Sequence, residues 1–188
     1  VREVIGYGRG LANLQRAVEL GVADRVETSL SAAVRDADMV VLATPVGSMA
    51  GILGAIAPYL ARDAVVTDVG SVKGTIAVAA RAALGDKLTG FVPGHPIAGT
   101  ERTGVEASFS SLFVGRRVVL TPLPETSAEA VARVRAMWQA AGAEVVSMSV
   151  EHHDAVLAAT SHLPHLLAYA LVDMLARLDD SREIFAYA

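Results

Sequence analysis

Apolar residues along the chain form short continuous runs that alternate with longer stretches of helical spacing. The first run, 4–7, is typical of the end of a strand, and the helical period through Leu14, Ala17 and Leu20 predicts a helix that stops at Gly21. The later runs suit strands buried on both faces of a sheet. Together these patterns predict strands at 39–43, 64–68, 88–92, 117–120 and 144–147, and helices at 29–36, 49–60, 72–84 and 127–141.

Strands that alternate with helices predict an α/β fold with a Rossmann-like, doubly wound, mostly parallel sheet. In the helix at 127–141, Ala130, Val134 and Trp138 recur every four residues, so they should form its buried face. The α/β unit should therefore close with the strand at 144–147.

The pattern changes near residue 150 to a single long helical stretch, 154–178, rich in Ala and Leu. This change divides the chain into an α/β domain, 1–149, and the start of an all-helical domain, 150–188. No linker of low complexity marks the boundary, so the division rests on the change of period.

Composition narrows the range of functions. With 53% hydrophobic and 19% charged residues among 188, the chain can bury a core. A net charge of -4 with scattered basic residues argues against nucleic-acid binding, and the lack of cysteine excludes disulfides, thiolate metal sites and a cysteine nucleophile. The scattered charges favour a small-molecule partner, and no metal is expected. The apolar runs at 39–45 and 51–60 are too short or interrupted to span a bilayer, which predicts a soluble cytoplasmic protein.

The first strand leads into the glycine-rich segment Gly6-Tyr7-Gly8-Arg9-Gly10-Leu11, which has some features of a dinucleotide fingerprint. Leu11 stands where the third glycine should be, so the segment better fits the second strand of such a fold, where Gly8 and Arg9 face the adenosine ribose. A guanidinium without the usual acidic residue tolerates a 2′-phosphate, which predicts NADP use or dual specificity. A flexible turn with a solvated arginine is the alternative.

Two strands end in polar loops at the sheet edge where open α/β sheets bind ligands. Thr44 and Pro45 follow the strand at 39–43, and small residues there would let a cofactor approach the backbone. Asp68, Ser71 and Lys73 follow the next strand and offer a carboxylate, a hydroxyl and an amine. Alternatively, Ser71 caps the next helix and Asp68 is a turn residue.

The segment Gly94-His95-Pro96-Ile97-Ala98-Gly99-Thr100-Glu101 brings one imidazole and one carboxylate to the same edge. Gly94 and Pro96 restrict the backbone, which predicts a rigid turn after a strand. Its position favours a catalytic role for His95, and a surface histidine is the alternative.

Polar residues interrupt the long helix at Thr160-Ser161-His162-Leu163-Pro164-His165. Ser161 and His165 are four residues apart and should share one face, while His162 points about 100° away. Pro164 cannot donate to the carbonyl of Thr160, so we expect a bend that either lines a pocket or serves packing. His152 and His153, flanked by acidic residues, are predicted to be a solvated helix start rather than metal ligands.

Three of these segments, Asp68-Val69-Gly70-Ser71-Val72-Lys73, His95-Pro96-Ile97-Ala98-Gly99-Thr100-Glu101 and Ser161-His162-Leu163-Pro164-His165, together resemble the signature of the prephenate/arogenate (cyclohexadienyl) dehydrogenase family. The resemblance covers the whole chain, and 6–23 looks like the family's second strand and following helix. By this resemblance the first strand with its G-x-G-x-x-G loop, and the arginine-bearing part of the helical domain, are missing. The piece by itself is expected to be inactive.

The resemblance implies an oxidoreductase of tyrosine biosynthesis, in which a nicotinamide-binding domain uses NAD or NADP and a helical domain pairs two subunits into a homodimer. His95 would accept the hydrogen bond of the ring C4 hydroxyl and Ser71 would orient that hydroxyl. An imidazole with a pKa near neutrality could take the proton as hydride leaves C4 and carbon dioxide is lost. The implied substrate contacts are Ser161, His165, Gly99, Thr100 and Glu101, and the implied cofactor contacts are Gly8, Arg9, Thr44, Pro45, Asp68 and Pro96.

Two other classes stay open. A dehydrogenase of the β-hydroxyacid or imine-reductase type would share the sheet and a helical dimerisation domain, although the lack of any lysine after Lys87 counts against the hydroxyacid type. A non-catalytic Rossmann-like binding module would leave His95, Ser71 and His165 without a reason to converge.

Overall fold

The computed structural model describes residues 3–100 and 102–178, and strands alternate with helices as predicted, except that three strands follow one another between residues 91 and 120. The strands are β1 (Ile5–Tyr7), β2 (Arg25–Glu27), β3 (Met39–Leu42), β4 (Val65–Asp68), β5 (Phe91–Val92), β6 (Gly94–Pro96), β7 (Arg117–Leu120) and β8 (Glu144–Ser147). The helices are α1 (Leu11–Glu19), α2 (Leu30–Val34), α3 (Val46–Ile56), α4 (Gly74–Leu84), α5 (Ala128–Ala140), α6 (Val150–Leu157) and α7 (Leu163–Leu178).

The strands form three hydrogen-bonded ladders. β1 pairs with β2 and β3-β4-β5 follow in order, all parallel, while β6 is antiparallel to β7 and β7 is parallel to β8. The mostly parallel α/β prediction is therefore confirmed. In the strand order 3-2-1-4-5-6 of a dinucleotide-binding sheet, a first strand lies between the positions that β1 and β3 would occupy. The separation of these two ladders agrees with β1 being the second strand of such a sheet.

Three strands differ from the sequence prediction. The strand expected at 88–92 is limited to β5, because Gly85–Gly90 form a 3-10 helix. β2 is a three-residue strand with little apolar character, so no continuous apolar run predicted it. The segment at Gly94 was expected to be a turn, but it is β6, because His95 pairs with Val119 across the antiparallel ladder.

The core lies on both faces of the sheet because neighbouring strand residues point in opposite directions. Val66 and Phe91 pack with α3 and α4, whereas Val65 and Val92 pack with α5. The face of α5 predicted from its period is buried, with Trp138 resting edge-to-face on Phe113 at 5.0 Å between ring centroids.

The helical region begins at Val150, four residues earlier than predicted, and Ser149 caps it by accepting from the backbone of His152. Between α6 and α7, residues 158–162 form a π-helical turn. Pro164 has no N–H to donate, and the wide turn just before it accommodates the lost helical bond. The irregularity at Pro164 is thus a π turn.

The surface of α7 is apolar and open to solvent. The stretch Val150–Arg177, 28 residues long, is by length and composition able to cross a membrane, which the shorter runs considered from the sequence are not. A single such helix is weak evidence for a membrane span, because helices that pair with another protein surface have the same composition. The exposed apolar side chains are Leu163, Leu166, Leu167, Tyr169, Leu171, Val172 and Met174.

A buried ion pair joins β4 to β6, which share no ladder. Lys73 and Asp68 both have no exposed side-chain surface and bond to each other. The Lys73 ammonium also donates to the carbonyl of Gly94 at 2.6 Å, and Asp68 accepts from the N–H of Gly94 at 3.2 Å and from that of Gly70 at 2.8 Å. Both backbone groups of Gly94 are therefore held by one ion pair. A side chain at position 94 would not fit, because its Cβ would lie 2.9 Å from the carbonyl oxygen of Asp68.

Replacing Lys73 by Met should strongly destabilise the protein, because the buried carboxylate of Asp68 would lose its charge partner. We expect the free energy of unfolding to fall by about 3–5 kcal/mol, measured by urea denaturation. Lys87→Met is the matched control: Lys87 is half-buried and donates only to the carbonyls of Ala57 and Leu60 after α3. Its loss should cost no more than about 1 kcal/mol. Equal losses for the two variants would contradict a special role for the buried pair.

Candidate active site

His95 lies at the centre of the candidate site. It occupies the middle of β6, directly after the residue held by Lys73 and Asp68, and its side chain is half-buried. Its Nδ1 is 2.9 Å from Nε2 of His153, and the two rings meet edge-to-face with centroids 5.2 Å apart. One ring nitrogen of His95 is thus engaged inside the protein, which leaves Nε2 for other partners.

His153 was expected to be solvated, and the structure corrects this: its side chain is fully buried. With a period of 3.6, His153 falls on the same face of α6 as Val150 and Leu157, which pack inward, while His152 and Glu151 point to solvent. The charged residues next to His153 in sequence led to the prediction that it is solvated. The helical period could have revealed it.

Asp154 ties α6 to the start of α4. Its two carboxylate oxygens accept from the backbone N–H groups of Lys73 and Gly74, each at 2.8 Å, and Oδ1 lies 2.8 Å from Nδ1 of His153. Burial opposes ionisation here, but the bonds from Lys73 and Gly74 outweigh it and lower the pKa of Asp154. Asp154 is therefore a carboxylate that caps α4 and contacts His153 at the same time.

The surroundings of His95 favour its neutral form. Burial lowers the pKa of His95 to about 4, and the positive charges that His153, Lys73 and His162 can carry act in the same direction, opposed by Asp154. The expectation of a pKa near neutrality is corrected accordingly. At neutral pH the imidazole carries a lone pair and can accept a proton.

The other predicted site residues of the sheet edge differ in how far their side chains are exposed to solvent. Ser71 is exposed in the loop from β4 to α4, and Thr44 lies at the end of β3 with a buried hydroxyl that has no hydrogen-bond partner among the described residues. Pro45 is exposed at the start of α3. Asp68 and Pro96 are enclosed, Asp68 by its own hydrogen bonds and Pro96 by its pairing with Val118, so their side chains support the edge from within.

The loop that follows β6 borders an open cleft. Gly99 and Thr100 are exposed, and the hydroxyl of Thr100 donates to the carbonyl of Arg102 at 3.3 Å. The cleft, about 410 Å³ in volume, is lined by this loop together with Phe109, Leu112 and Arg116. Glu101, the predicted carboxylate of the loop, lies outside the described residues.

The helical motif does not follow the regular spacing assumed from the sequence. Ser161 and His162 fall within the π turn, so the angle of 100° per residue fails between Ser161 and His165. Ser161 is half-buried and His165 is exposed. It is His162 whose charge acts on the pKa of His95, which places this residue near the site as well.

Gly8 and Arg9 are both exposed in the loop between β1 and α1. Neither α1 nor α3 has a side-chain cap or an acidic residue in its first turn. The first turns of both helices therefore bring no anionic side chain of their own to the edge where the strands end.

Comparisons with known proteins agree with this architecture. The family described as "Prephenate dehydrogenase, nucleotide-binding domain" matches residues 1–147, and that described as "Prephenate dehydrogenase, dimerization domain" matches residues 149–188. The cyclohexadienyl dehydrogenase of Zymomonas mobilis is 42% identical over 86% of this chain and 54% of its own length. The prephenate dehydrogenase of Bacillus subtilis is 34% identical over 91% of this chain and 46% of its own length. The chain thus spans about half the length of these relatives.

Solved structures of similar proteins include prephenate dehydrogenase from Aquifex aeolicus, with a TM-score of 0.91, 39% identity, and coverage of 98% of this chain and 66% of that one. The A. aeolicus enzyme in complex with hydroxyphenyl propionate and NAD+ has a TM-score of 0.88, 38% identity, and coverage of 95% and 62%. Arogenate dehydrogenase from Synechocystis has a TM-score of 0.81, 33% identity, and coverage of 98% and 64%. The chain therefore belongs to the prephenate dehydrogenase family.

Proposed function

We propose that this chain is part of an NAD(P)-dependent dehydrogenase that oxidatively decarboxylates prephenate, arogenate or both in the biosynthesis of tyrosine. The observation that carries the proposal is His95, a half-buried imidazole kept neutral at the ligand edge of the sheet. The cyclohexadienyl and prephenate dehydrogenases named above support the choice of substrate.

In this reaction, His95 accepts the proton of the ring C4 hydroxyl through Nε2. A bound nicotinamide would supply the acceptor for the hydride that C4 loses as the C4–O bond becomes a carbonyl. The bond from ring C1 to its carboxylate then breaks, carbon dioxide leaves, and the electron pair moves through the ring to the C4 oxygen. His95 returns its proton to that oxygen, so no net proton is consumed. A base that is neutral beforehand suits this role, because it can take the proton without first losing one.

Several predicted residues would contact the substrate. Ser71 orients the C4 hydroxyl from the loop after β4, while Ser161 and His165 approach from the helical region and Gly99 and Thr100 from the loop after β6. Glu101 stays a predicted contact outside the described residues. The exposure of Ser71, Gly99, Thr100 and His165 supports such contacts. The hydroxyphenyl propionate in the A. aeolicus complex is a phenol of the kind this reaction produces, and it supports a cleft for such a ring.

The sheet edge fits a nicotinamide dinucleotide, which supplies the hydride acceptor. The unpartnered buried hydroxyl of Thr44 offers a hydrogen bond, and the uncapped start of α3 at Pro45 favours a negatively charged group. Gly8 and Arg9 would face the adenosine ribose, and Arg9 makes NADP acceptable beside NAD. Asp68 and Pro96 would act by holding the edge in place rather than through exposed side chains.

A homodimer built through the helical region is part of the proposal. The apolar, exposed surface of α7 and the match to a dimerization domain both support it. The same pairing explains why a helix able to span a membrane by length occurs in such an enzyme. A cytoplasmic location belongs to this proposal, since the named relatives act on small metabolites.

The proposal predicts reduction of NAD or NADP by the full-length protein when prephenate or arogenate is supplied. Absorbance at the nicotinamide band, followed for all four combinations of substrate and cofactor, measures it. Because Arg9 can neutralise a 2′-phosphate, we expect NADP to be used at least as one of the two cofactors. Silence in all four combinations would count against the function and favour another dehydrogenase or a binding module.

His95→Asn should lower kcat by roughly 100-fold or more in the full-length enzyme, because the amide cannot take the hydroxyl proton. His152→Asn provides the control, since His152 lies on the solvent side of α6 and should leave kcat unchanged. Steady-state kinetics with the preferred substrate and cofactor test both. An unaltered kcat for His95→Asn would remove His95 from the mechanism.

The depressed pKa of His95 also predicts a pH dependence of stability. Between pH 6.5, the ordinary value, and about 4 the unfolded chain binds a proton at this residue that the folded chain does not. Its contribution is therefore fully present above pH 6.5 and is lost as the pH falls through this window. The melting temperature of His95→Asn should decline less than that of the wild type from pH 7 to pH 4.5. Parallel declines would show that His95 titrates normally.

A further inference from the structure

His153 is a titratable side chain that the proposed chemistry does not use. It is fully buried at a position where an apolar residue would suit the inner face of α6. Burying a polar ring is unfavourable unless its nitrogens are hydrogen-bonded. Both nitrogens of His153 do have partners, Asp154 on one side and His95 on the other.

The direction of these hydrogen bonds follows from the chemistry of Asp154. A carboxylate only accepts, so Nδ1 of His153, 2.8 Å from Oδ1, must carry the hydrogen. The proposal takes His153 as a neutral imidazole, which has one N–H group, and this leaves Nε2 of His153 as an acceptor. Nδ1 of His95, 2.9 Å away, must then be the donor. His95 itself is neutral at pH 7, so its Nε2 carries the lone pair.

We propose that His153 is a positioning residue that, together with Asp154, fixes the tautomer of His95 with the hydrogen on Nδ1 and the lone pair on Nε2. This inference rests on the proposed role of His95 as the proton acceptor. The opposite tautomer would present an N–H group to the substrate hydroxyl and could not accept its proton. The path Asp154, His153, His95 therefore selects the form of His95 that can act.

The same path stays hydrogen-bonded in the protonated state formed during the reaction. When Nε2 of His95 takes the proton, its Nδ1–H still donates to His153, so no hydrogen bond has to be rearranged. Asp154 is fixed by the backbone N–H groups of Lys73 and Gly74, and its negative charge lies one ring away from the new positive charge. The acceptor is thus oriented before the substrate arrives.

Two substitutions of His153 in the full-length enzyme separate positioning from packing. His153→Leu fills the buried space but accepts no hydrogen bond, so kcat should fall by about ten-fold or more. His153→Gln offers one oxygen to accept from His95 and one N–H to donate to Asp154, and it should recover most of the kcat. The dissociation constant of NAD should stay within two-fold of the wild type in both, about the scatter of such measurements. A kcat for His153→Leu equal to that of the wild type would overturn the proposal, as would a Gln variant no better than Leu.

Nitrogen-15 NMR of the histidine-labelled full-length protein gives a readout that does not depend on turnover. We expect His95 in the wild type to carry its hydrogen on Nδ1, and His153→Leu to shift this toward Nε2. A wild-type His95 protonated on Nε2 would sink the proposal even if the Leu variant failed to fold. Wild-type protein that turns over neither substrate would instead count against the proposed function, while the NMR tautomer would still report on the hydrogen-bonded path.

Discussion

The ion pair between Lys73 and Asp68 decides where His95 lies. It has no exposed surface, and it holds the N–H and the carbonyl of Gly94, the residue just before His95. The parallel ladder of β3, β4 and β5 ends at this point, and β6 runs antiparallel to β7 in a separate ladder. Without a strand pairing between β4 and β6, these charged hydrogen bonds fix the position of the histidine relative to the ligand edge of the sheet.

Lys73 also connects the sheet to the helical region. Its side chain holds Gly94, while its backbone N–H, with that of Gly74, is bound by Asp154 of α6. The proposed substrate contacts come from both the sheet edge and the helical region, so separate movement of the two parts would change the proposed site. The carboxylate of Asp154 limits such movement next to His95 by capping α4. The sequence of α4 supplies no cap of its own, since Lys73 occupies the N-cap position without a capping side chain.

The electrostatics of the site follow from this arrangement. Burial drives Lys73 and Asp68 toward their neutral forms, and their mutual attraction with the bonds from Gly70 and Gly94 opposes that change. A positive charge on Lys73 then adds to the burial that keeps His95 neutral. One group thus both positions the imidazole and keeps it able to accept a proton.

Much of the architecture could be predicted because it depends on local patterns. Continuous apolar runs identified β3, β4, β7 and β8, and the spacing of Ala130, Val134 and Trp138 identified the buried face of α5. The short strands β2 and β6 were not predicted, since their conformation depends on the strands they pair with rather than on a pattern in their own residues. The π turn was not predicted either. It accommodates the missing N–H of Pro164, and the residue spacing alone does not specify this geometry.

The site was predictable only where a motif marks it. His95 stands out between Gly94 and Pro96, but His153 was assigned to solvent because Glu151, His152 and Asp154 surround it in sequence. In a helix, neighbours in sequence lie on different faces, so the charge of residues 152 and 154 says little about residue 153. The relevant comparison is with residues three or four positions away, Val150 and Leu157, and these are partly buried.

A polar residue on such a face must find partners inside the protein, and for a histidine one N–H and one lone pair must both be satisfied. That requirement predicts a donor and an acceptor on either side of His153 before any coordinates are known, and a carboxylate next to it in sequence and a second histidine across the site are the two groups that meet it.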